Sequence, residues 1–169
     1  MNAALTPPPL IGPEQAALIA RRVSIIVGTR DADKRPHVMR AVGCRLSPDL
    51  RRITVFLAPS SSAQVLADLR SNASIAVVFS EPSTHRTVQF KGSDALVATI
   101  EPGDEAVVDR YLHSFIQEIG ELGFPENVAH SILGRESDDL VAVHFTPRAG
   151  FEQTPGPTAG QALPTHAAR

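Results

Sequence analysis

Residues 23–46 read VSIIVGTRDADKRPHVMRAVGCRL. Val23 to Thr29 is a β-branched run with apolar positions in alternation, the mark of a half-buried strand. Asp31-Ala32-Asp33-Lys34-Arg35 is a polar turn, and Pro36 bars a helix from continuing through it. A second strand follows over about Val38 to Leu46. No helix fits between the two strands, so they pair as an antiparallel hairpin. Ser47-Pro48-Asp49 turns the chain again into a third strand, Ile53 to Leu57. A doubly wound parallel sheet is the alternative, but it needs a helical crossover after nearly every strand, and these three strands have none between them.

Outward from this segment, strands and helices alternate more loosely. A short helix over Pro13 to Arg21 precedes the first strand, with proline at a favoured early position. Ser61-Ser62-Ala63-Gln64 has the Ser-x-x-Gln spacing of a capping box and predicts a helix from Ser62 to Arg70. Ile75 to Phe79 forms a fourth strand and Thr87 to Lys91 a fifth, which continues past Gly92 towards Ile100 with a bend. Val108, Tyr111, Leu112, Phe115 and Ile119 fall on one face of a long helix that ends at Gly120 or Gly123. A short helix over Glu126 to Leu133 leads into a last strand, Leu140 to Phe145. The expected fold is mainly β (α+β): a six-stranded antiparallel split β-barrel with peripheral helices.

The chain has 169 residues, 16 basic and 18 acidic, and a net charge of −2. That length fits one domain of the usual ~100–200 residues. The balanced charge gives no basic surface for nucleic acid. No apolar run approaches the ~18–20 residues of a membrane span. The N-terminus lacks a basic segment followed by an apolar one, so a cytoplasmic location is expected. One cysteine, Cys44, excludes an internal disulfide, and it reads as a small core residue. The 14 prolines gather at both ends. Residues 1–12 read as a flexible leader, 13–147 as the folded domain and 148–169 as a Pro/Gly-rich tail. Within that tail, Thr154-Pro155-Gly156-Pro157 suggests a defined turn, while the plainer reading is a frayed terminus.

Three segments together resemble a known family: VSIIVGTRDADKRPHVMRAVGCRL, ITVFLAPSSSAQVLADLRSNASIAVVF and HRTVQFKG. Their order is strand, Asp-rich turn, proline, strand, hairpin strand, short helix with a following Asn, strand, and a strand ending in Gly. This is similar to the FMN-binding split barrels related to pyridoxamine 5′-phosphate oxidase, over most of residues 14–146. The resemblance implies a homodimer with FMN at the subunit interface and a small-molecule substrate. It also implies a cofactor set of Arg40, Ala41, Val42, Ser60, Ser61, Ser62, Gln64, Arg86, Thr87 and Gln89.

The match departs from the family at defined places. Arg40 sits one position from the family's strand cation. Ala63-Gln64-Val65 stands where the oxidase has Ser-Arg-Lys, and Ala58-Pro59 where it has Tyr-Thr. Thr87 replaces a Gln. Missing tryptophan removes the indole expected near the oxidase's cofactor. These changes argue against the oxidase reaction itself.

From the residues alone, a helix start beside Ser60 to Ser62 supplies free N–H groups and hydroxyls for a phosphate. Arg40 or Arg45 is the cation within reach in sequence terms. The plainer reading is a capped helix with surface serines. The resemblance implies that backbone from Val38 to Val42 flanks the flavin ring; Gly43 would permit close approach, and Thr87, Gln89 and Lys91 share one strand face. The plainer reading of that face is solvation.

His37 and His85 flank strand starts, either at a pocket mouth or in surface loops. The six histidines show no i, i+4 pair, and no Gly-x-Ser-x-Gly elbow or phosphate loop is present. Three functions stay open: an FMN-dependent oxidoreductase, a non-catalytic protein for flavin or another ligand such as haem, and a cofactor-less dimeric module.

Overall fold

In β1, Ser24–Arg30, the residues Ile25, Val27 and Thr29 are buried while Ser24, Ile26 and Gly28 are half-buried. That alternation fixes one face to the core and leaves the other outward. The computed structural model describes residues 9–165. Pro7 and Pro8 of the expected leader, and His166, lie outside the described residues. The remaining strands are β2 (Pro36–Arg40), β3 (Gly43–Leu46), β4 (Ile53–Leu57), β5 (Ile75–Ser80), β6 (Thr87–Gly92), β7 (Leu96–Ala98), β8 (Val141–Phe145) and β9 (Ala149–Glu152). The helices are α1 (Pro13–Ile19), α2 (Pro59–Asn72), α3 (Asp104–Glu121) and α4 (Glu126–Leu133).

The strands form two sheets with every pair antiparallel. One has the order β2-β1-β5-β6-β9 and the other β3-β4-β8-β7. The α+β, antiparallel expectation holds, but the described residues form nine strands, not six. The difference has two causes. Two runs that read as single strands break and change sheet, 38–46 into β2 and β3 and 87–100 into β6 and β7, and β9 forms within the segment read as a Pro/Gly-rich tail.

The first break is the sharpest. The Ala41 amide donates to Ile25 O in the first sheet at 3.0 Å, and the next amide, Val42, donates to Phe56 O in the second at 2.9 Å. Ala41 and Val42 are both buried, so the in-and-out alternation is interrupted at the break, where one residue faces the core from each sheet. Gly43 follows because α3 lies close: an added Cβ would stand 3.3 Å from Val108 Cγ2.

The core lies between the sheets. Phe56, Phe79, Phe90 and Phe145 are fully buried there, with Phe79 and Phe90 edge-to-face at 6.4 Å. Helix α3 buries the expected face, Val108, Tyr111, Phe115 and Ile119, with Leu112 partly covered. The Tyr111 hydroxyl donates to Val23 O at 2.8 Å and ties α3 to the entry of β1.

The C-terminal segment is not loose over its described length. Ala149–Glu152 pairs with β6, and Thr154 Oγ1 accepts from the Thr87 amide at 3.0 Å. Beyond the Thr-Pro-Gly-Pro turn the chain returns: the Glu152 amide donates to Gln161 O and the Leu163 amide to Gly150 O. The turn therefore folds onto its own β6 and β9.

Gly92 marks the second sheet change. A Cβ there would stand 2.7 Å from Phe145 Cδ2 and 3.0 Å from Thr146 O. The ring is fully buried and the carbonyl belongs to the backbone, so neither yields freely. Gly92→Ala is expected to cost about 1–3 kcal/mol in urea denaturation with the slope unchanged. Wild-type stability in that variant would show that the bend tolerates a side chain.

Candidate functional site

The outward face of the first sheet follows from the register. Ile26 pairs with Arg40 and Val78, Gly28 with Val38 and Ala76, Val78 with Gln89, and Ala76 with Lys91. Gln89 in turn meets Phe151. This face carries an apolar patch of Ile26, Val38, Val78 and Phe151, and Val38 is 68% exposed. Its cations have neutral partners: Arg40 Nη1 donates to Ser24 Oγ at 2.5 Å, and Lys91 Nζ lies 4.9 Å over the Phe151 ring. By contrast Arg21, Arg22, Arg45 and Arg86 each meet a carboxylate. Thr87 Oγ1 shares a 2.7 Å hydrogen bond with Ser80 Oγ, and the Gln89 side chain has no hydrogen bond among the described residues.

The start of α2 is a second locus, built differently from the sequence expectation. The helix begins at Pro59, with Ala58 as its N-cap, and Ser62 sits at a kink with φ −112° and ψ 16°. The Ser61–Gln64 capping box does not form, because Gln64 Nε2 donates to Asp68 Oδ1 at 3.3 Å. The free helix-start donors are taken by an anion from the chain itself. The Ser60 amide donates to Asp139 Oδ1 at 2.9 Å, and the Ser60 hydroxyl donates to Asp139 Oδ2. These two donations, aided by Arg135, hold the Asp139 carboxyl below its ordinary pKa. Two residues on, the buried Ser62 hydroxyl has no hydrogen-bond partner.

No arginine from the second or third strand completes this locus. Arg40 is bound to Ser24, and Arg45 donates to Glu101 Oε2 at 2.7 Å and Asp104 Oδ1 at 2.9 Å. Ala41 and Val42 are core residues, and their amides are spent on the sheet change. They offer a ligand neither side chains nor N–H groups. Arg86 pairs with Glu14 at 2.8 Å at the far end of β6. The ten expected residues thus fall in separate places: Ser60 to Gln64 at α2, Arg40, Thr87 and Gln89 on the outward face, Ala41 and Val42 in the core, and Arg86 beside α1. Cys44 is a core-facing thiol whose pKa burial pushes up to about 12, so it is no nucleophile at neutral pH.

A third cluster was not anticipated. Asp68, buried on α2, accepts from Thr29 Oγ1 at 2.7 Å, His37 Nδ1 at 2.8 Å and Gln64 Nε2 at 3.3 Å. Burial opposes its ionisation, but the three donors and the His37 charge outweigh it and hold the carboxyl below its ordinary value. An ionised carboxylate only accepts, so His37 carries its proton on Nδ1 and its Nε2 is the outer nitrogen. The signal in the sequence was an aspartate among Val65, Leu66 and Leu69, on the apolar side of its helix.

The folded pKa of Asp68 lies below 3.8, so its share of stability is complete above that pH and is lost as pH falls through the folded value. Asp68→Ala leaves the Thr29 and His37 donors without their acceptor, an expected loss of about 1–3 kcal/mol at neutral pH. Asp68→Asn is expected to show a shallower loss of stability between pH 4 and pH 2 than wild type, read by urea denaturation. An identical acid limb in both proteins would remove Asp68 from the acid response.

No protein-family model matches the chain, and no curated protein matches it. Solved structures do match. The structure of HupZ from Group A Streptococcus superposes with a TM-score of 0.55 at 18% identity, covering 89% of this chain and 99% of that one. An F420 reductase gives 0.54 at 16% identity, covering 83% and 98%. A candidate pyridoxamine 5′-phosphate oxidase from Lactobacillus delbrueckii gives 0.53 at 14%, covering 89% and 99%. Two antiparallel sheets joined by strands that change sheet are thus the fold this chain shares with structures of the pyridoxamine 5′-phosphate oxidase type.

Proposed function

We propose that this chain is an FMN-binding split-barrel flavoprotein that works as a homodimer, with the cofactor between the two copies, as an oxidoreductase on a small molecule. The observation that carries the reading is the start of α2. It already binds an anion, the Asp139 carboxylate, and it holds the buried, unpartnered Ser62 hydroxyl beside it. Residues there fit a phosphate: the Ser60 amide and hydroxyl, the unpartnered Ser62 hydroxyl and no acid in the helix's first turn, while the Ser61 amide and hydroxyl donate to Ala58 O. The outward face supports the other half. A slot for a flat ring needs apolar area with few polar groups, and Ile26, Val38 and Val78 supply the area beside the unengaged Gln89 amide.

In this reading Ser60 holds the phosphate, and Ser62 turns its hydroxyl towards it. Gln89 donates to a ring carbonyl, with Thr87 beside it. Ile26, Val38 and Val78 of the two copies exclude water from the ring. When bound, FMN supplies hydride and single-electron transfer. The structural relatives named above include proteins described as an oxidase and a reductase, which supports redox chemistry over transport. A second reading, a non-catalytic carrier, is favoured by the outward face itself, which bears no carboxylate or histidine among the named residues to move a proton. NAD(P)H oxidation by the loaded protein separates the two.

Incubation with FMN followed by desalting is expected to leave a flavin spectrum at one equivalent per chain. Light scattering should give twice the 18.0 kDa chain mass. Val78→Asp, which places a charge in the apolar patch, is expected to halve that mass and release the flavin. A colourless desalted protein sinks the FMN assignment, and a Soret band would replace it with haem. An unchanged mass in Val78→Asp removes this face from the interface.

A further inference from the structure

Asp139 is held where a ligand phosphate is expected to bind. It lies in the segment between Gly134 and Leu140, after α4 and before β8. Leu133 and Leu140 are buried anchors at the two ends, while 136–138 are exposed. Within the segment, the Asp139 amide donates to Glu136 O, and Arg135 Nη1 donates to the carbonyls of Glu136 and Ser137. The segment is therefore a self-bonded loop pinned to the body through Ser60. The same loop, through Gly134, Arg135 and Ser137, forms one wall of a cleft of about 340 Å³ whose other wall is Val42, Val108, Asp109 and Leu112.

A carboxylate and a phosphate want the same donors. Both accept from helix-start amides and hydroxyls, and both are favoured by the positive end of the helix. They cannot share the Ser60 donors, since one amide and one hydroxyl saturate with a single acceptor group and two anions in contact repel. No arginine or lysine bonds to Ser60, Ser61 or Ser62 among the described residues to offset that repulsion. Asp139 is also charged at neutral pH, because the Ser60 donations hold its carboxyl below the ordinary range.

We propose that Asp139 is an internal competitor of phosphate: it caps α2 in the empty protein, and a phosphate-bearing ligand binds only when the 134–140 loop swings this carboxylate off Ser60. The inference deepens the cradle reading above and rests on it. It explains how the helix start stays satisfied in the empty protein, with Arg135 of the same loop as the nearby cation. The empty site is kept satisfied from within, and the ligand's affinity is set by the exchange of one anion for another. The loop that must move is also the wall of the α3 cleft, so ligand entry opens that cleft at the same time.

The test is a pair of variants, Asp139→Ala and Asp139→Asn, titrated with FMN and with riboflavin by flavin fluorescence. Inorganic phosphate is followed in parallel at the Ser60 amide by ¹⁵N–¹H correlation spectra. If the open loop is populated about one tenth of the time or less, removing the latch tightens apparent affinity about tenfold or more. FMN and phosphate should gain by that factor, and riboflavin, which lacks the phosphate, should change less than about twofold. Asp139→Asn keeps an oxygen for the Ser60 amide and so guards against a loop that loses its fold.

Equal FMN affinity in wild type and both variants overturns the latch and leaves the flavin reading standing. Equal gains for riboflavin overturn it too. Binding of FMN by the variants but not by wild type supports the latch and removes FMN as the native ligand. Absence of any FMN binding or Ser60 response in all three proteins overturns both.

Discussion

Two adjacent amides, Ala41 and Val42, donate into different sheets, and the rest of the molecule is arranged around that division. A backbone amide that is buried must find an acceptor. Here the two nearest acceptors, Ile25 O and Phe56 O, belong to sheets that face each other across the core. The chain between His37 and Leu46 is therefore shared. One end holds β2 against β1, and the other holds β3 against β4. Because β4 ends at Leu57, the next residues, Ala58 and Pro59, start α2 at the seam between the sheets. The loop that leads into β8, the partner of β4, arrives at the same seam and brings Asp139 to Ser60. The anion-binding helix start is thus a consequence of where the first strand divides.

Much of this architecture is legible in the residues. Alternation finds β1, β4, β5, β6 and β8 to within a residue or two, and the apolar spacing of α3 locates the face that packs. What alternation cannot show is where a strand leaves its sheet. The hydrogen-bond partners change at Ala41–Val42, where both side chains are buried, and again after Gly92, and residue types alone do not say which sheet an amide joins. The capping box at Ser61–Gln64 fails for a related reason. Pro59 is an excellent first helical residue, so the helix begins earlier and Gln64 finds itself on the turn facing Asp68. The candidate site was legible only in part. Serines at a helix start are visible, but the carboxylate that occupies them comes from 79 positions away in sequence.

Asp68 and Asp139 show how one helix handles two carboxylates. Asp139 lies in a partly exposed loop at the positive end, where two Ser60 donors hold it and water competes for it. Asp68 is buried two turns further on, where the helix dipole is weak, and it persists as an anion because Thr29, His37 and Gln64 all donate to it. The first arrangement is exchangeable, since a solvated carboxylate gives up its partners at modest cost. The second is not, since moving Asp68 would leave the buried Thr29 hydroxyl and the half-buried His37 without their acceptor. Helix α2 is therefore fixed to β1 and β2 through Asp68 while its N-terminus remains open to exchange.

The outward face of the first sheet adds a constraint that acts between copies. Arg40 and Lys91 sit among apolar residues with only a hydroxyl and a ring as partners. In a single copy, water completes their solvation. Burying that face against a second copy removes the water, and an unpaired buried cation is expensive. A dimer through this face would therefore need polar or anionic partners for Arg40 and Lys91 from the second copy. The near-neutral charge of the whole chain gives no long-range field to help. Selection for an anion then depends on the exchangeable helix start, acting at contact distance.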